Sequence, residues 1–231
     1  MPASLSVIIP TLNAGNELPE TANALLNGVG DGLIREIIIS DGGSGDDTLE
    51  IAKELGAIVI EGSPGRGQQM ACGVEAAQGE WFLLLHADSW LGDGWVDSAL
   101  HHMNTHPDKA GWFKLRFRAS GIAPAILAKG ANLRSSLFGL PYGDQGLLIS
   151  RRLLEDIGGV PQIPLMEDVA LARKLKGRLR CLGAKMRTSA QRYETGGWVR
   201  RPLHNLGTLF RYLLGVDPEA LSARYRKNEN P

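Results

Sequence analysis

LSVIIPT (Leu5–Thr11) is a short apolar run, and REIIISDGG (Arg35–Gly43) repeats its scheme. Between them a helical pattern runs from about Glu17 to Leu26. A second helix is read from about Asp46 to Leu55, then AIVIEG (57–62) as a third strand and residues 67–77 as a third helix. EWFLLLHAD (Glu80–Asp88) reads as a fourth strand. Continuous Ile/Val/Leu runs separated by helices are what strands covered on both faces look like. The pattern predicts an α/β fold with a parallel, doubly wound sheet. Such sheets bind ligands beyond the carboxyl ends of their strands. That rule gathers Pro10–Asn13, Asp41–Gly45, Ser63–Gly67 and His86–Ser89 around one crevice.

Further along the order loosens. WFKLRFRA (Trp112–Ala119) alternates with period two and predicts a strand with one polar face. Ile122–Leu137 reads as a helix interrupted by Pro124, GLLIS (Gly146–Ser150) as a strand, and Glu167–Lys176 as a helix entered after Pro164. Near the end Leu203, Leu206, Phe210, Leu213 and Leu214 recur at helical spacing beside Arg200, Arg201 and Arg211. Such a helix either lies on a membrane or packs on its own domain or another subunit. No linker or repeat divides the chain, so one compact unit with an elaborated C-terminal part is expected.

The composition agrees. With 231 residues, 43% hydrophobic and 22% charged, the chain can bury a sizeable core, which excludes disorder. The net charge is zero but lopsided: residues 1–172 carry 11 Lys/Arg against 21 Asp/Glu, and residues 173–231 carry 14 against 4. A basic C-terminal quarter suits phosphates, anionic substrates or an anionic membrane, or simply compensates the acidic part. Overall neutrality argues against extended nucleic-acid binding. Cys72 and Cys181 supply neither a disulfide framework nor a four-Cys zinc site. No cationic leader precedes an apolar run, and the apolar stretches are too short to span a bilayer. A cytoplasmic protein is expected.

Several residues could carry chemistry. Asp41 closes the second strand and could accept hydrogen bonds from a nucleobase or ribose, while helix capping accounts for Ser44 and Asp47. GSPGRGQQM (Gly62–Met70) is a Gly-rich loop opening a helix; it offers N–H groups and the Arg66 guanidinium to a phosphate, or is a plain turn. LLLHADS presents Asp88, which could hold Mg²⁺ or Mn²⁺ with diphosphate oxygens, and His86, which could help position them. Glu167 and Asp168 begin a helix, where acidic residues suit the dipole and where a carboxylate stays ionised as a general base must. QRYETGGWVRR mixes Arg192, Trp198, Arg200 and Arg201, cations able to pin a diphosphate or an acceptor. Asp144 and Gln145 stand in a turn before a buried strand.

VIIPTLN, IISDGGSGDDT, a strand ending in HADS, and MEDVALARKL follow in an order and spacing that resemble the family 2 glycosyltransferases over about residues 4–195. The short chain, LLLHADS and GDQG look closest to a compact bacterial branch labelled arsenosugar-biosynthesis-type glycosyltransferases. The resemblance implies a GT-A-type nucleotide-diphospho-sugar transferase fold, a mostly parallel doubly wound sheet with an elaborated C-terminal part. It implies that Pro10, Thr11, Asn13, Glu17 and Asp41 line the nucleoside pocket, and that Arg66 lies near the phosphates. His86, Ala87 and Asp88 would complete the donor site, with Asp88 matching the last acid of the family's metal-binding Asp-x-Asp and His86 standing at its first. Asp168 would be the catalytic base with Glu167 supporting it. Arg192, in a degenerate Gln-x-x-Arg-Trp segment where Tyr193 replaces Trp, would contact the diphosphate. Asp144, Gln145 and Trp198 would meet the acceptor.

The function so implied is inverting transfer from a nucleotide-sugar, a UDP-sugar favoured over a GDP-sugar, to a small-molecule or lipid-linked acceptor, assisted by Mn²⁺ or Mg²⁺. Residues 1–231 would form one domain: about 4–90 the nucleotide-binding half, about 91–200 the acceptor and catalytic half, about 201–231 a helical segment. Peripheral membrane contact through that segment, at the inner face of the membrane, and self-association both stay open. A nucleotidyltransferase would place its Gly-rich loop directly after the first strand, where PTLNAGNE stands instead. A non-catalytic nucleotide-binding protein of the same fold is the other alternative, kept open by His86.

Overall fold

The computed structural model describes residues 3–229. Its first part alternates strand and helix: β1 (Leu5–Thr11), α1 (Leu18–Asn23), α2 (Leu26–Gly30), β2 (Ile34–Asp41), α3 (Thr48–Glu54), β3 (Ile58–Glu61), α4 (Arg66–Ala76) and β4 (Trp81–Leu84). The second part adds β5 (Ser89–Leu91), α5 (Trp95–Thr105), β6 (Ala110–Phe117), α6 (Ile122–Phe138) and a 3₁₀ turn, Gly143–Gln145. It continues with β7 (Leu147–Ser150), α7 (Arg151–Asp156), α8 (Glu167–Lys174), β8 (Leu179–Thr188), α9 (Gln191–Gly196), α10 (Arg200–Leu213) and α11 (Pro218–Glu229).

The strands form one sheet in the order β3-β2-β1-β4-β7-β6-β8-β5. The expected α/β fold is present. Pairing is parallel from β3 through β2 and β1 to β4. Beyond β4 it is mixed: β4–β7, β7–β6 and β8–β5 are antiparallel and β6–β8 parallel. β1 lies between β2 and β4, so the strand order reverses there, and the carboxyl ends of these strands flank the switch point where open α/β sheets bind ligands.

The apolar runs divide residue by residue between two core layers, as the period of two requires. Val7, Ile9, Ile39, Leu83 and Leu85 pack on one face with Trp95 and Phe113. Ile8, Ile38, Phe82 and Leu84 pack on the other with Met70, Ile149 and Leu171. α4 lies so close to β1 that a Cβ on Gly73 would stand 2.5 Å from Ile8 Cγ2. A side chain there would overpack the layer, at about 1–3 kcal/mol.

Departures from the expected elements have local causes. The helix expected over 17–26 ends at Asn23, and after a turn at Ala24–Leu25 a second short helix, α2, follows, in which a Cβ on Gly28 would stand 2.6 Å from the Trp95 ring. The fourth strand stops at Leu84 and the chain turns, with Ser89 N–H donating to the His86 carbonyl (3.1 Å), before β5 pairs with β8. Pro124 does not interrupt α6, because it falls in the first turn, where a backbone N–H has no helical partner to lose. β8 carries no apolar alternation and a left-handed Gly183, and it escaped the sequence pattern. Leu203, Leu206, Phe210, Leu213 and Leu214, the apolar residues at helical spacing, do not pack on the domain; they are exposed. Among the described residues no helix is long and apolar enough to cross a membrane.

Candidate active site

The β1 and β2 ends are tied together by a carboxylate. Asp41 is fully buried and accepts from Thr11 Oγ1 (2.8 Å), Ser44 Oγ (2.5 Å), Gly43 N–H (2.8 Å) and Ser44 N–H (2.7 Å). Burial opposes its charge, but the bonds from Ser44, Thr11 and Gly43 outweigh it and hold the carboxyl below its ordinary range. The neighbouring loops interlock. Asn13, left-handed at φ 51°, donates its N–H to Ser44 Oγ (2.8 Å) and accepts from Gly45 N–H (2.9 Å). Asp46 accepts from Gly15 N–H (3.0 Å) and from the Thr48 backbone and hydroxyl. The capping expected of Ser44 and Asp47 therefore falls to Asp46: Asp47 holds the N-cap position without a side-chain bond, and Ser44 is spent on Asp41. Gln69 of α4 donates to the Thr11 and Ser40 carbonyls, both at 2.7 Å, and fixes the helix against both strand ends.

A second group of residues surrounds a cavity of about 130 Å³. It gathers Arg66 from the Gly-rich loop, His86 and Asp88 from the turn after β4, and Asp144 from the 3₁₀ turn. Asp168 opens α8 at the same cavity, and Tyr193, Arg201, Asn205 and Tyr225 close it from the C-terminal helices. Asp168 is held at its base by Gly143 N–H (2.9 Å) and Val169 N–H (2.7 Å). Met166, just before it, sits at φ 66°, a strained conformation for a bulky side chain and one that occurs where a site over-determines the backbone. Gly143 is required: a Cβ there would stand 2.1 Å from His86 Nε2.

Electrostatically this cavity is the reverse of the first region. Glu167 is 1% exposed and meets Arg66 Nε at 3.1 Å. Burial pushes its carboxyl up to about 7, against the pull of Arg66 and with a further push from Asp168. Burial likewise raises Asp144 to about 6, opposed by Arg134 and aided by Asp168 and Asp88. Asp144 Oδ1 is shielded and has no hydrogen-bond partner among the described residues. Perturbed carboxylates gathered in a cleft are a physical mark of a reactive site. No group of three metal-ligating side chains is preformed among the described residues. A hard divalent cation held by one or two carboxylates and completed by phosphate oxygens still fits, since Asp88 lines the cavity and Asp144 brings an unpartnered oxygen.

The expected residues thus fall into separate sets. Arg66, His86, Asp88, Asp144 and Asp168 come together. Pro10, Thr11 and Asp41 are buried, and Ala87 uses its carbonyl to accept from Thr21 Oγ1. Glu17 lies in another groove, paired with Arg118 (3.5 Å), which stacks over Trp90. Three expectations change. Gln145, expected at the acceptor, is fully buried and binds Ser135 Oγ (2.6 Å) and Asn132 Oδ1 (3.2 Å), fastening its turn to α6. Trp198 stacks on Tyr193 and meets Phe117 edge-on, so it supports the wall rather than lining it. Glu167 holds Arg66 rather than Asp168. The Arg192 side chain lies outside those described. Asn205 and Tyr225 were not expected; Asn205 stands four residues from Arg201, a spacing that marks one polar side of α10.

Comparison with known proteins agrees with this fold. The model of "Glycosyl transferase family 2" matches residues 6–140. A "PGL/p-HBAD biosynthesis glycosyltransferase" of Mycobacterium bovis is 38% identical over 94 residues, 37% of this chain and 36% of that protein. The match thus spans about a third of the curated relative's length. Among solved structures, S. aureus TarS 1-349 in complex with UDP-GlcNAc shares the fold at a TM-score of 0.62 and 19% identity, covering 80% of this chain and 58% of that one. Glucosyl-3-phosphoglycerate synthase from Mycobacterium tuberculosis, solved with Mn²⁺ and UDP, matches at a TM-score of 0.55 and 21% identity, over 80% of this chain and 70% of that one.

Proposed function

The chain belongs to glycosyl transferase family 2, and on that premise we propose that it moves a sugar from a nucleoside-diphosphate sugar to an acceptor hydroxyl, inverting the anomeric centre. One observation carries the reading: Arg66, Asp88 and Asp168 line the same cavity. The donor is a UDP-sugar in preference to a GDP-sugar, in keeping with the likeness to proteins solved with UDP and UDP-GlcNAc. Residues of about 4–90 bind the nucleotide, those of about 91–200 bind the acceptor and do the chemistry, and the helical segment that follows closes the site through Arg201, Asn205 and Tyr225. Closeness to the compact arsenosugar-type branch rests on LLLHADS and GDQG and names no acceptor.

Asp168 accepts from two backbone donors, Gly143 N–H and Val169 N–H, which aim its carboxylate into the cavity. It takes the proton of the acceptor hydroxyl as that oxygen attacks the anomeric carbon from the face opposite the diphosphate. The new C–O bond forms as the bond to the diphosphate breaks, and a single displacement inverts the centre, as in inverting hydrolysis. Arg66, held by Glu167 at 3.1 Å, offers its guanidinium to the departing diphosphate. Asp88, with Asp144 nearby, would hold Mn²⁺ or Mg²⁺, which when bound supplies positive charge to the diphosphate. Asp41 shapes the nucleoside pocket through the loop it organises.

Calorimetry with UDP and GDP, each with and without Mn²⁺ or Mg²⁺, tests the donor side. Metal-dependent UDP binding lost in Asp88→Ala is expected. UDP release from a UDP-sugar tests the base: Asp168→Asn should stop release while UDP still binds. A wild-type protein that binds no nucleotide under any of these conditions would overturn the reading.

A further inference from the structure

An amphipathic helix of a globular protein turns its apolar face inward. α10 is built the other way round. Val199, Leu203, Leu206, Phe210, Leu213 and Leu214 recur at steps of three and four and form one stripe. All six are exposed, Phe210 at 61%. The polar side faces the protein: Arg201 and Asn205 line the catalytic cavity, and Arg201 Nη2 donates to the Tyr225 hydroxyl at 3.2 Å. Buried Thr208 and Leu209 complete that inner side.

α6 repeats the arrangement. Ile122, Ile126, Leu133 and Leu137 fall on one line of the helix and are exposed, Ile126 at 63%. Its other side packs on β6 through Ala128, Ala131 and Leu127, while Asn132 bonds the Leu115 backbone. α6 packs in one apolar cluster with Tyr193 and Trp198, which meet Phe117 edge-on and precede α10 in the chain. Single exposed apolar residues are ordinary on a soluble protein, whereas helix-length stripes mark a contact surface.

We propose that the outer stripes of α10 and α6 seat the protein on the surface of an anionic lipid bilayer. Charge selects this occupant. Neither helix contains an Asp or Glu; α10 carries Arg200 and Arg211, while its Arg201 faces the cavity, and α6 carries exposed Lys129, while its Arg134 turns inward over the Tyr142 ring. Lys129 stands within the α6 stripe itself, where its stem can lie along the apolar surface and its ammonium reach a headgroup. A second copy laid on the same stripes would set these cations against like cations. Anionic headgroups complement them, and the apolar side chains enter the boundary between headgroups and acyl chains. The bilayer then lies about one helix diameter, roughly 10 Å, from the cavity lined by Arg201 and Asn205. This rests on the glycosyltransferase reading and sharpens it: the acceptor hydroxyl is borne on a lipid.

The test is flotation of the full chain with vesicles of phosphatidylcholine alone and of phosphatidylcholine mixed with phosphatidylglycerol, at low and high salt. The protein should float with the anionic vesicles, less so at high salt. The exposed-site pairs Leu206→Glu/Phe210→Glu and Ile126→Glu/Leu133→Glu should each weaken partitioning about tenfold or more. UDP binding, measured on each variant, should be unchanged, which shows that the fold and donor site persist. A wild-type protein that ignores both vesicles would overturn the membrane seat. So would a dimer in sedimentation that the α10 pair dissociates while vesicle binding is unaltered. Loss of UDP binding by the wild type would instead strike the transferase reading, so the two failures are distinguishable.

Discussion

Asp41 and Glu167 are both buried carboxylates, and the protein treats them in opposite ways. Asp41, at the end of β2, receives bonds from Thr11, Gly43 and Ser44, and its pKa falls. Glu167, at the start of α8, is met by Arg66 at 3.1 Å, and burial lifts it to about 7. Asp144, which lines the cavity beside Arg66, has one oxygen without a hydrogen-bond partner among the described residues and rises to about 6. A fully bonded carboxylate is a scaffold: its charge is answered by the chain itself. An under-bonded one awaits a ligand. The β1–β2 end is therefore finished without substrate, whereas the cavity is left electrostatically incomplete.

The largest effect expected is on turnover. Asp168→Asn should lower the rate of sugar transfer by about 10²–10⁴-fold, the usual weight of a general base. UDP affinity and unfolding midpoint should hardly move. If UDP binding fell with the rate, Asp168 would belong with the scaffold carboxylates and the contrast would break. Asp41→Ala should do the converse. Its removal strands the buried Thr11 hydroxyl and the 43–44 backbone, and stability should drop by about 2–4 kcal/mol. Urea unfolding at constant slope measures it. Unchanged stability with lost UDP binding would make Asp41 a ligand contact instead.

The same contrast explains what was legible in the sequence. LSVIIPT and REIIISDGG announced their strands because each carries an unbroken apolar run, Val7–Ile9 and Ile37–Ile39, of the kind that strands covered on both faces need. β8 stayed hidden because only Met186 and Thr188 of its ten residues are buried. Asp88, Arg66 and Asp168 could be named from motif order, but the partner of Glu167 could not. That pairing depends on Gly67 letting α4 approach the 161–163 loop, where a Cβ would meet the Pro161 carbonyl oxygen at 2.4 Å. Gln145 reads as a turn residue suited to an acceptor, and only its burial reveals a fastening to α6. The outward stripe of α10 was visible as helical spacing; which way it faces is a tertiary fact.

The smallest effect expected is in the stability of the unliganded protein against pH, and it reads both regions in one curve. Asp41 and Asp46 have lowered pKa values, so their contribution is present above the ordinary carboxylate value near 3.8 and is lost as pH falls below it. Glu167 and Asp144 have raised values, near 7 and 6, so the folded state holds their protons longer than the unfolded chain does. Their contribution is complete at about pH 4 and is lost as pH rises through 6 and 7. These two groups make stability fall as pH rises from about 4 toward 8. Glu167→Gln removes one of the two groups that create the decline and leaves the acid side alone, so it should flatten the curve only above pH 5. Urea midpoints across pH 3.5–8 for both proteins decide the matter. A Glu167→Gln curve parallel to the wild type would mean that Arg66 answers the Glu167 charge in full, and the cavity would be no less finished than the β2 end.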